Sequence, residues 1–103
     1  MIVTVDEVKT NLRIQHNEED TYIENLIKQV QAAAEDFCRV SFEPVTDENG
    51  NVTAPPEPVR LAVILMASFY YENRDASSMT AYRAARMGFY ALLYPYRDPD
   101  KMF

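Results

Sequence analysis

The chain is poor in the residues that most often carry catalysis and metal binding. Its 103 residues include one histidine, one cysteine, two glycines and no tryptophan. A single cysteine, Cys38, excludes an internal disulfide and any zinc centre built on a cysteine cluster. The glycines, Gly50 and Gly88, stand apart, so no glycine-rich loop is available to cradle a phosphate. His16 sits in a polar connection with no second histidine or cysteine near it, which reads as a surface residue and not a ligand. No Ser/His/Asp or Cys/His set can be assembled. Glu18, Glu19 and Asp20 are consecutive, so on a helix they point different ways and do not converge on one ion. The sequence gives no positive evidence for an enzyme.

Long apolar runs are also missing. The longest, Leu61 to Tyr71, contains Ser68 and is too short to span a bilayer. The opening "MIVTVDEVKT" lacks the basic region and apolar stretch of a leader peptide, and none is expected. Positive charge is scarce: 16 acids face 10 Lys/Arg, a net of -6. That argues against a protein that coats DNA, whose affinity comes mainly from neutralising phosphates. The charge is uneven. Residues 1–39 carry eight acids and four Lys/Arg, residues 40–60 four acids and one Arg, and residues 61–103 four acids and five Lys/Arg. An acidic front and a faintly basic rear favour either plain solvated surface or head-to-tail contact between copies.

What is present points to one small helical domain over residues 1–103. Apolar residues make up 48% and charged residues 25%, a globular balance. Thr4 followed by Glu7 forms a capping box for a short first helix, with Val5, Val8 and Leu12 on one face. Asn17 is the expected cap of a long second helix from about Glu18 to Arg39. Ile23, Leu26, Ile27, Val30, Ala34 and Cys38 recur there at helical steps. A Pro-rich excursion over 42–57 follows, with Asn49-Gly50 as a turn signal for a loop or small β-hairpin. Pro58 fits the first turn of a third helix. Val59, Ala62, Val63 and Met66 line one side of it, and Leu61, Ile64 and Leu65 make the other side apolar too. Such a helix is central in its fold or covered by a partner. A fourth helix is expected after a cap at Ser78 or Thr80, with Tyr82, Ala85, Phe89, Leu92 and Leu93 inward. Pro95 ends it, and residues 98–103 form a tail.

Two strings remain: "SFYYENRDAS" and "ALLYPYRDP". Tyrosine and arginine concentrate at interface hot spots, and these strings close the third and fourth helices. The two helix ends could pack together, or they could face another subunit. Tyr70, Tyr71, Glu72, Arg74, Tyr94, Tyr96 and Arg97 are therefore candidate contacts. Arg83 and Arg86, three apart on the fourth helix, and the terminal Met102 and Phe103 join them. A rival reading makes Arg83 and Arg86 the contacts of a small helical DNA-binding or regulatory module.

The order of these pieces resembles the small head–tail connector (adaptor) proteins of tailed bacteriophages with long non-contractile tails, also filed as DNA-packaging proteins. "MIVTVDEVKTNLRIQHNEEDTYIENLI" resembles that family's opening. "PPEPVRLAVILMASFYYENRDA" resembles its central helix, and "GFYALLYPYR" its closing helix. The stretch from Met79 to Met87 departs from the pattern, since members often have a looser, proline-containing segment there. The resemblance implies a mainly α-helical subunit in a ring, commonly taken as dodecameric, at the portal vertex in the virion neck. The implied partners are other copies of itself, the portal protein and a tail-side completion protein, with DNA only in passage. Assembly in the bacterial host cytoplasm, with no cofactor and no membrane, completes the expectation.

Overall fold

A computed structural model of the chain describes residues 1–73 and 79–98. It is mainly helical, with a two-stranded hairpin between the second and third helices. Helix α1 spans Val5–Leu12, and its capping box is formed as the sequence indicates. The Glu7 N–H donates to Thr4 Oγ1 at 3.1 Å, and the Thr4 N–H donates to Glu7 Oε1 at 3.0 Å. The helix closes on Arg13 in left-handed backbone, φ 60°, and the Ile14 N–H returns to Lys9 O at 2.9 Å. Glycine is the usual residue for that geometry; this chain places arginine there, and again at Arg39 after the second helix.

Helix α2 spans Asp20–Cys38, and Glu19 rather than Asn17 precedes it, without a side-chain cap. Asn17 has another task. Its Oδ1 accepts from Lys9 Nζ at 2.6 Å, and Asp20 Oδ1 accepts from the same ammonium at 2.9 Å. Lys9 is only 7% exposed. A buried ammonium must find acceptors, and this tertiary demand outweighs a local helix cap. The second helix therefore begins two residues later than its sequence signal.

Strands β1 (Val45–Thr46) and β2 (Val52–Thr53) pair antiparallel, Val45 opposite Thr53 and Thr46 opposite Val52. Asp47 organises the turn between them. Its Oδ1 accepts from the N–H groups of Asn49 and Asn51, both at 2.9 Å. Gly50 supplies φ 83° there, a value that a side chain would strain. Every residue from 43 to 54 is exposed.

Helix α3 spans Glu57–Glu72 with Pro58 in its first turn. Helix α4 spans Met79–Leu93 and runs into a 3₁₀ turn, Tyr94–Tyr96. Thr80 lies inside α4 and does not cap it. The other cap candidate, Ser78, lies outside the described residues. The Met79–Met87 stretch is helical, as this chain's own pattern indicates. Pro95 ends the α-helix but is accommodated in the tighter turn, where its missing N–H leaves no bond unmade.

The core forms around α3. Val59, Ala62, Val63 and Ala67 are wholly buried, and Met66 nearly so. They meet Ile23, Ile27, Val30 and Cys38 from α2, Val8 from α1, and Phe89 and Leu93 from α4. Arg60 ties the N-terminus to this core. Its Nε donates to Ile2 O at 3.1 Å, and its guanidinium pairs with Glu7 and Glu57. Gln31, also buried, accepts from the Ile2 N–H at 2.8 Å and donates to Glu43 at 2.6 Å.

Two stability measurements follow. Leu93 is fully buried, so Leu93→Ala should lower unfolding free energy by about 2–5 kcal/mol in a denaturant titration. Glu7 is held below the ordinary carboxylate value by the Thr4 backbone N–H, with Arg60 adding to the effect against the opposing pull of burial. The unfolded chain then binds the Glu7 proton more readily than the folded one. This stabilisation is complete above the ordinary value, 4.5, and is lost as pH falls through the lowered one. Glu7→Gln should remove that part of the acid slope in a pH series of thermal melts.

Candidate functional site

A cleft of about 330 Å³ lies between α2, α3 and α4. Leu26 and Val30 of α2, Met66 of α3 and Phe89 of α4 give it an apolar floor. These positions fall there because each is the margin of its helix's buried stripe. Tyr70, Tyr82 and Tyr90 stand around the floor, and among the described residues Arg86 is the one formally charged lining residue. The rings of Tyr70 and Tyr82 are 6.4 Å apart, and Tyr90 lies 4.5 Å from Phe37. The Arg86 guanidinium sits 5.3 Å from the Tyr90 ring centroid, a cation–π distance. Burial, reinforced by a hydrogen bond with Tyr82, pushes the Tyr70 phenol up to about 12.

A second, apolar groove of about 300 Å³ runs between α3 and α4. Ala62 and Leu65 line one wall, and Ala84, Gly88 and Leu92 the other. Leu61 and Leu65 on the adjoining face of α3 are each 46% exposed, and Met87 of α4 is 73% exposed.

The structure separates the two tyrosine–arginine strings. Tyr71 donates to Glu19 Oε1 at 3.1 Å, beside the start of α2. Asn73 closes α3, its N–H and its Nδ2 both donating to Phe69 O. At the other end of α2, Arg97 lies 4.6 Å over the Phe37 ring, and the Asp98 N–H donates to Cys38 O at 2.9 Å. The two helix ends therefore do not pack on each other. Helices α3 and α4 run antiparallel, Tyr70 meeting Tyr82 toward one end and Ala62 sharing a groove with Leu92 toward the other, which places their C-terminal ends at opposite ends of the bundle.

The remaining candidates divide by exposure. Tyr70, Tyr71, Tyr96 and Arg97 are half-buried, whereas Glu72, Arg83, Arg86 and Tyr94 are exposed. Arg74, Met102 and Phe103 lie outside the described residues. Cys38 is buried as its helical position indicates, with Sγ donating to Leu93 O at 3.5 Å and burial pushing the thiol up. Tyr22 and Gln29 line the cleft without having been read as site residues. Tyr22 was the available signal: an aromatic with a polar tip at the edge of an apolar stripe.

Among the described residues, no cluster of three or more His, Cys, Asp or Glu could hold a metal ion, and no helix is long and apolar enough to cross a membrane. The cleft itself can be tested through its tyrosines. Tyr70 has a raised value, so its protonated form is preferred by the folded state, and its stabilisation is lost as pH rises from 10 toward about 12. In a 295 nm titration of the folded protein, Tyr70→Phe should remove a tyrosine that ionises near pH 12. It should also flatten the loss of stability on that alkaline limb.

Comparison with known proteins gives one match. No curated protein and no solved structure is significantly similar to the chain. The model of the family described as Phage gp6-like head-tail connector protein matches residues 2–98, from the N-terminal segment through the Tyr-Pro-Tyr-Arg turn. The helical order and this match agree: the chain belongs to the phage gp6-like head–tail connector family, structural proteins of the virion at the head–tail junction.

Proposed function

We propose that the chain assembles with copies of itself into a closed ring at the portal vertex, joins head to tail there, and lets DNA pass through its lumen. The observation that carries this reading is the apolar face left open on α3. Leu61 and Leu65 are almost half exposed on the helix whose other faces form the core, and Leu65 lines an apolar groove. A contiguous apolar surface on a soluble protein marks a contact site. A contact between unlike surfaces closes into a ring when its rotation closes, and family membership supports such an assembly. On this reading the ring is dodecameric, its neighbours are the portal protein and a tail-side completion protein, and it assembles in the host cytoplasm. The net charge of -6 suits a conduit that must not grip its cargo, because acidic surface repels phosphate.

Native mass spectrometry across a concentration series, with negative-stain imaging, tests the reading. Closed rings are the expected result. Leu65→Asp should abolish them while leaving helicity and melting of the subunit nearly unchanged, since Leu65 is exposed. Assembly of that variant to the wild-type extent would remove the α3 face from the interface.

A further inference from the structure

The hairpin between α2 and α3 has no evident reason to be where it is. Val45 and Val52 are 63% and 61% exposed. Paired residues share a face, so Val45 with Thr53 and Val52 with Thr46 present one valine on each side of the ribbon. Among the described residues no third strand pairs with this two-stranded sheet. A lone two-stranded hairpin is marginal in water and normally needs a third strand or a helix to pack against. Residues 43–54 also carry three acids and no Lys or Arg. The chain thus holds out an acidic ribbon with apolar residues on both faces.

The cleft between α2, α3 and α4 is the complement. Its floor is apolar, its walls are aromatic, and Arg86 is its charge. Residues 79–97 carry three arginines and no acid. Its volume of about 330 Å³ suits the side chains of a strand; a whole helix, about 10–12 Å across, is too large. In its own subunit the hairpin does not line the cleft, and every residue from 43 to 54 is exposed. It hangs from Cys38 and Glu57, the C-terminal end of α2 and the N-terminal end of α3. Tyr70 lies thirteen residues along α3 from Glu57, about 20 Å away at 1.5 Å per residue.

We infer that the hairpin of one copy docks in the tyrosine–arginine cleft of the next, a valine entering the apolar floor and Glu48 meeting Arg86. The inference rests on the self-assembly proposed above and names a contact within it. Donor and acceptor lie at opposite ends of the α2–α3 pair, so the contact is heterologous and joins copies head to tail. It gives the hairpin the packing surface it lacks and gives the cleft an anionic, apolar occupant.

A charge exchange tests this. Glu48→Lys and Arg86→Glu should each raise the dissociation concentration of the assembly by about tenfold or more, because each alone sets like charges together. Mixing the two variants should restore assembly. The lysine introduced in the hairpin of the first then meets the glutamate introduced in the cleft of the second, and the reverse contact is native. Both positions are exposed, and unchanged thermal melts check the fold. Hydrogen exchange on the wild type gives a reading free of mutation: amides of 45–53 should gain protection on assembly. Variants that assemble like the wild type, a mixture that does not recover, or a hairpin that stays unprotected would overturn the pairing and leave the ring standing. A wild-type protein that stays monomeric at all concentrations would overturn both.

Discussion

Everything else in this molecule depends on α3, a helix with apolar residues on nearly every side. Such a helix cannot sit at a surface. Helices α1, α2 and α4 cover it where Val59, Ala62, Val63 and Met66 point, and their contacts form the core. A chain of 103 residues has too few elements to enclose it completely. Leu61 and Leu65 are what remains uncovered. The same constraint that creates the core thus leaves an open apolar face, on which the proposed assembly rests.

The polar interior serves that arrangement. Arg60 projects from the first turns of α3 to Glu7 and the Ile2 carbonyl, so the N-terminal segment is pinned to the central helix. Gln31 and Glu43 hold the same segment from the α2 side. Lys9 joins α1 to the start of α2 through Asn17 and Asp20. Buried polar groups of this kind are costly unless every donor finds an acceptor, which restricts the helices to one mutual placement. Past Glu43 the Pro-rich excursion stands outside this network, and residues 44–54 all face solvent. A subunit that is rigid where its helices meet and open at one arm suits a structural protein that works in contact with neighbours.

The tyrosine–arginine strings show how similar chemistry can serve different places. Both follow apolar helices and both read as interface material. One surrounds a cleft through Tyr70 and is anchored to the start of α2 through Tyr71. The other, through Arg97 and the Asp98 backbone, secures the end of α4 to Phe37 and Cys38. Linear sequence does not distinguish these roles, because the decision lies in which end of α2 each string meets.

The sequence by itself determined what depends on neighbours within a turn or two. The capping box at Thr4 and Glu7, the apolar stripe of α2, the turn at Asn49-Gly50 and the stop near Pro95 are all local rules of backbone geometry and periodicity. It also carried enough ordered signal to indicate the connector family. Only the tertiary structure decided the rest. It took Asn17 from its cap to satisfy a buried lysine, set the two tyrosine–arginine strings apart, and gathered Tyr22, Tyr70, Tyr82 and Arg86 around one cleft. Those outcomes are settled by groups dozens of residues apart competing for the same space and hydrogen bonds, and no local pattern records that competition.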